Sequence, residues 1–241
     1  MMGAMSWGST IAWVKYGGLV GKDGWRYTFG PRDFRWALAA LYGESESSGA
    51  GPDGDAVLWS WASRQFLYRN NREMRRRDGY ILPWPHTYAD IVLSHSQPVN
   101  PYWRRRGEEG AIIRRANIVD MEPEDFPPGV VAKVLAFMQG RLPMHPMLAG
   151  LTDFAACNCV GCGEDTHGPA DLRGGGYPRG NCYWKEAGSR SWTVETLRPV
   201  PAASGGGVLL PIALGVGAVA AYLALSGKVS PLFAAAAVIP P

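Results

Sequence analysis

The stretch Ala56-Val57-Leu58-Trp59, followed by Trp61, Ala62, Phe66 and Leu67, is apolar on nearly every side of a helix. A helix over 55–68 with so little polar face has to be buried within its domain, walled in by other elements. The chain is therefore read as mainly α, with this helix at its centre. Hydrophobic content of 46%, with 10 Trp and 10 Tyr, is enough to build such a core and excludes wholesale disorder.

The run before it, Pro31 to Glu44, places Phe34, Ala37, Leu38, Leu41 and Tyr42 at helical spacing. Pro31 suits a first-turn position, and Asp33 complements the helix dipole there. Glu44 lies seven residues after Ala37, at the rim of the apolar stripe. A carboxyl at that rim sits half in a hydrophobic wall and half in a cleft. Partial desolvation raises its pKa and keeps a proton available near neutral pH, as a general acid requires. The plainer reading is a solvated glutamate at a helix end. The Ser/Gly/Pro/Asp-rich loop from Ser45 to Gly54 follows, with Asp53 placed to cap the next helix.

Net charge is only +3, which excludes a polyanion binder acting by bulk electrostatics. Basic clusters at Arg72, Arg75-Arg76-Arg77, Arg104-Arg105-Arg106 and Arg114-Arg115 are interrupted by acids and accompanied by no nucleic-acid motif. They read as a solvated face or a surface for an anionic polymer, and no nucleic-acid partner is expected. The loop from Ser96 to Trp103 carries Gln97, Tyr102 and Trp103. Aromatic faces beside amides suit a sugar-binding cleft, and equally a Pro-rich surface loop with buried rings. Pro127-Pro128-Gly129 opens a helix through Met138, stopped at Gly140.

All four cysteines, Cys157, Cys159, Cys162 and Cys182, fall in one short region with His167. The set could hold a structural zinc or form a disulfide, or stay as free thiols; C-x-C-x-x-C is not the usual paired knuckle. Tyr183-Trp184 and Trp192-Thr193-Val194 flank Gly188-Ser189 as a β-hairpin.

Residues 1–30 form a Gly- and Trp-rich arm without the pattern of a secretory signal. At the other end, 199–207 reads as a Pro/Ala/Ser/Gly linker, and 208–226 holds no charge. About 20 such residues cross a bilayer as a helix, so a transmembrane-like helix is expected there, with an apolar tail over 227–241; a packing or oligomer-buried helix is the other option.

The string Leu41-Tyr42-Gly43-Glu44-Ser45-Glu46 resembles the catalytic-glutamate motif of the SleB-type cell-wall hydrolases, lysozyme-like enzymes that cut peptidoglycan glycan strands. The resemblance continues through Ala56-Val57, Thr87-Tyr88-Ala89-Asp90-Ile91-Val92, Gln97 before Tyr102 and Trp103, Gly140-Arg141-Leu142-Pro143, Gly150 to Phe154 and Asn181 to Lys185. It implies a lysozyme-like α(+β) domain over 31–198, with 157–182 as a Cys-rich insertion. Glu44 would be the catalytic acid, with Glu46, Thr87, Tyr88, Gln97, Tyr102 and Trp103 as substrate contacts and no catalytic cofactor.

Attack by water would need a second carboxylate. Glu46, Asp53, Asp55 and Asp90 are candidates and none stands out, which favours the lytic transglycosylase route, in which the sugar's own 6-hydroxyl closes an anhydro ring. The setting expected from these parts is a virion-carried phage enzyme acting in the host cell envelope. It would open the wall for genome delivery, with the bacterial membrane, other virion proteins or its own copies as partners. The alternative is an inactive virion or membrane-channel component that only binds glycan.

Overall fold

The computed structural model describes residues 14–44, 52–69, 86–101, 118–156 and 181–203. Among them, four helices surround one core: α1 (Pro31–Glu44), α2 (Pro52–Tyr68), α3 (Tyr88–His95) and α4 (Pro128–Met138). α2 is buried along its length, as its all-round apolar sequence requires. Trp59 and Trp61 meet Phe137 of α4 and Tyr88 of α3 at ring distances of 5.2 Å and 6.4 Å. Phe29 closes the aromatic centre, 5.2 Å from Phe137 and 5.4 Å from Tyr88. Edge-on and tilted rings of this kind add to the burial of their large apolar areas.

Asp33 shows how the first helix is fixed. Its buried carboxylate accepts from the Gly30 N–H at 2.8 Å, capping α1. It also accepts from the Tyr27 hydroxyl at 3.0 Å and 2.9 Å, and from the Ala89 N–H at 2.8 Å. One side chain thus ties the start of α1 to a strand and to the first turn of α3.

Two small sheets flank the helices. Strands β1 (Gly18–Gly21) and β2 (Arg26–Thr28) form a hairpin, and β5 (Leu197–Val200) pairs antiparallel with β1 on its other side. The register sets Leu19 opposite both Tyr27 and Pro199. β3 (Asp153–Ala156) pairs antiparallel with β4 (Asn181–Trp184), Phe154 opposite Tyr183.

These strands correct the fold class read from sequence, a mainly helical lysozyme-like domain with one short hairpin and a transmembrane-like helix. Part of the arm, Gly18 to Thr28, and two residues assigned to the linker, Pro199 and Val200, build one sheet. Gly17 N–H donates to Met138 O at 2.8 Å, and Ala202 N–H to Gln139 O at 3.0 Å, so both ends lie against the C-terminus of α4. Gly140 makes that approach possible: it has φ +68°, and a Cβ there would lie 2.8 Å from Pro201 N.

The expected hairpin around Gly188-Ser189 is also replaced. Tyr183-Trp184 pairs with β3, and Ala187–Ser189 is a single 3₁₀ turn held by the Ser189 hydroxyl on Gly150 O at 2.5 Å. No helix among the described residues is long and apolar enough to cross a membrane; the longest, α2, carries Asp53, Asp55 and Arg64. The segment 208–226 lies outside the described residues.

Candidate active site

Glu44 is the last residue of α1, and its position follows from Gly43. A Cβ at Gly43 would overlap the Pro98 ring, 2.6 Å from its Cγ, and lie 3.1 Å from Ile118 Cδ1. Only glycine lets the helix end press against the turn that follows α3. That turn is pinned by the Ser96 N–H on Val92 O at 2.8 Å, the Asn100 N–H on Ser96 O at 2.9 Å and the Asn100 amide on Ser94 O at 2.8 Å. Ser96, Val99 and Asn100 are buried, while the Gln97 side chain is exposed.

Pressed into this turn, Glu44 Oε1 accepts from the Ser96 hydroxyl at 2.9 Å. The carboxyl also accepts from the Gln97 backbone N–H. The residue is half-buried. Loss of hydration pushes its pKa up to about 7, and the charge of Asp53 raises it further, while the hydrogen bonds from Ser96 and Gln97 oppose the rise. Near neutral pH the group is thus divided between acid and carboxylate, the condition for giving and then taking a proton.

Asp53 lies in the first turn of α2, one residue inside the helix rather than at its cap. Its side chain is taken up by β4: the Tyr183 hydroxyl donates to Oδ1, and Asn181 Nδ2 donates to Oδ2 at 3.5 Å. The same hydroxyl is 3.0 Å from the Asp53 carbonyl oxygen. Burial raises the Asp53 pKa, against hydrogen bonds from Tyr183 and Asn181 and the positive charge of Lys133. The buried Tyr183 phenol is in turn raised by burial and by the charges of Asp53 and Glu44, and its hydrogen bonds join the start of α2 to β4.

The other expected substrate contacts divide. Thr87 is the N-cap of α3: its Oγ1 accepts from the Asp90 N–H at 3.1 Å and from Arg32 Nη1 at 3.1 Å. Tyr88 is fully buried, with its hydroxyl on Leu58 O at 3.0 Å. In the fold Thr87 caps α3 and Tyr88 belongs to the core. Gln97 does lie beside Glu44. Glu46, Tyr102 and Trp103 lie outside the described residues.

Cys182 is disulfide-bonded, which removes its sulfur from the set of thiolates that could hold zinc. Cys157, Cys159 and Cys162 lie outside the described residues, and among the described residues no group of His, Cys, Asp or Glu could hold a metal ion.

Ser96, Asn181 and Tyr183 were not singled out from sequence as site residues. For the last two a signal existed: residues two apart on a strand share a face, so Asn181 and Tyr183 had to point the same way. Nothing in the sequence marks Ser96.

Behind the site lies a buried network. Arg64 Nε donates to His95 Nε2 at 2.9 Å, and its Nη1 donates to Thr152 O at 3.1 Å and to Asp153. The Tyr68 hydroxyl is 3.0 Å from the same His95 nitrogen. This cluster fixes the end of α3, one residue before Ser96. No family model, no curated protein and no solved structure matches the chain, so function is inferred from the geometry of these side chains.

Proposed function

We propose that the chain cleaves the glycan strands of peptidoglycan, with Glu44 as the general acid. The observation that carries this reading is a half-buried carboxyl with a pKa of about 7, aimed by Ser96 and the Gln97 N–H. A glycosidic oxygen must be protonated as its bond to C1 breaks, and a carboxyl group still protonated near neutral pH can do this. The motif around Glu44 supports the choice of substrate. Such an enzyme would open the wall locally, as a phage genome-delivery protein must; that setting rests on the sequence alone. Catalysis in this reading runs on protein groups alone.

The test is release of soluble muropeptides from purified peptidoglycan. Glu44→Gln, folded as judged by circular dichroism, should lose roughly a hundred- to ten-thousand-fold in rate. Activity near that of the wild type would overturn the assignment. A second reading is a glycan-binding component without activity. It requires that wild-type protein bind the polymer and release nothing.

A further inference from the structure

Arg64 sits on the central helix α2 with 4% of its surface exposed. A buried guanidinium is costly unless its donors are met. Here Nη1 donates to Thr152 O at 3.1 Å and to the Asp153 carboxylate, and Nε donates to His95 Nε2 at 2.9 Å. The Asp153 carboxylate also accepts from the Thr152 hydroxyl at 2.7 Å, and that hydroxyl accepts from the Glu186 N–H at 3.1 Å. A line of hydrogen bonds thus runs from the residues after β4, through α2, to the last residue of α3.

The chemistry fixes how the line ends. Arg64 Nε can only donate, so His95 Nε2 presents a lone pair and the ring proton belongs on Nδ1. The Tyr68 ring stacks on the imidazole at 5.7 Å, and its hydroxyl is 3.0 Å from Nε2. His95 cannot turn without stripping a buried cation of an acceptor. Ser96, next in the chain, is fully buried and leaves the helix at φ −90° and ψ 111°. Its N–H is on Val92 O at 2.8 Å, and its carbonyl accepts from the Asn100 N–H at 2.9 Å. Its hydroxyl therefore reaches Glu44 Oε1 at 2.9 Å only while the end of α3 keeps its place. A hydroxyl bond of this kind weakens beyond about 3 Å, so small displacements at His95 are felt at the acid.

We propose that Arg64 and His95 are positioning residues for the acid: acting through Ser96, they hold the hydroxyl that orients the Glu44 carboxyl, from a network anchored at the β3–β4 sheet. The proposal rests on the reading of Glu44 as the acid. Its consequence is specific. The Ser96 hydrogen bond favours the ionised carboxyl, so slackening its support raises the alkaline limit of activity. A simple loss of stability leaves that limit where it is.

The experiment is the pH dependence of kcat and KM for release of muropeptides from purified peptidoglycan. His95→Leu should lower kcat several-fold with KM unchanged and move the alkaline limb up by about 0.5–1 pH unit. His95→Gln, whose amide oxygen can meet Arg64 Nε, should restore most of both. The double variant His95→Leu/Ser96→Ala should lie no higher than Ser96→Ala, because residues acting through one another are not additive. Tyr68→Phe removes only the hydroxyl at Nε2 and keeps the buried ring. It decides the matter if His95→Leu does not fold, and should move the limb the same way by less. A limb left in place by His95→Leu, or by Tyr68→Phe in its stead, would overturn the positioning role and leave Glu44 standing. So would an additive double variant, or a His95→Gln protein as impaired as His95→Leu. No cleavage by the wild type, or full cleavage by Glu44→Gln, would remove the reading on which the proposal rests.

Discussion

Replacing Glu44 by Gln should make the protein more stable above neutral pH, and the structure sets the size of the gain. Folding carries the Glu44 carboxyl from an ordinary pKa of 4.5 to about 7. An acid raised in this way loses its proton more readily from the unfolded chain, so stability falls as pH rises from 4.5 through about 7. At about 1.4 kcal/mol for each pH unit, the upper bound on the loss is ~3.5 kcal/mol. Because the residue keeps part of its surface in solvent, the expected loss is nearer ~1–2 kcal/mol. Glutamine keeps an oxygen for Ser96 and the Gln97 N–H but never ionises. Asp33 and Asp53 are also raised by burial, but they titrate in both proteins and largely cancel in the comparison. Urea unfolding of both proteins should give similar free energies near pH 4.5 and a gap opening in favour of Glu44→Gln up to pH 8. Parallel curves across that range would refute the desolvated carboxyl.

Three other substitutions probe what surrounds it. Ser96→Ala removes a hydrogen bond that favours the ionised form of Glu44, so the alkaline limb of activity should move up by about one pH unit; a downward shift contradicts the geometry. Gly43→Ala drives a methyl into Pro98 and Ile118 and should cost about 1–3 kcal/mol by overpacking, read as a lowered urea midpoint with a displaced pH profile. Arg64→Met leaves the half-buried Asp153 and the buried Thr152 carbonyl without their cation and should cost about 2–4 kcal/mol. A loss below about 1 kcal/mol would mean the network is not structural.

What sequence can show here depends on whether the signal is local. The helix ending at Glu44 and the all-apolar helix after it are periodic, and both stand where periodicity puts them. The pairing of residues 18–21 with residues 197–200 is a long-range choice, invisible in a Gly-rich arm and a Pro-containing segment of little periodicity. The strand at Tyr183-Trp184 was legible, but its partner was not: the nearby Gly188-Ser189 suggested a local hairpin, whereas Asp153 to Ala156 supplied the ladder. At the site, the place of Glu44 at the end of its helix was readable, while its choice as the acid came from the resemblance of the surrounding motif. Its hydroxyl donor comes from the turn after α3, and the anchors of Asp53 come from β4, both far along the chain. Thr87-Tyr88 was read as part of a sugar cleft, and its place in a helix cap and in the core was not foreseen. A capping threonine followed by a core tyrosine serves the fold of α3, and only burial distinguishes that from a sugar contact.

The most direct test of the account is the pH dependence of kcat/KM for wild-type protein on peptidoglycan glycan strands. If Glu44 is the acid, the rate must fall along an alkaline limb with a midpoint at about pH 7, the point at which its carboxyl loses the catalytic proton. That limb should vanish with the activity in Glu44→Gln. A rate that stays flat through pH 9, or a limb that persists in Glu44→Gln, would contradict the central claim.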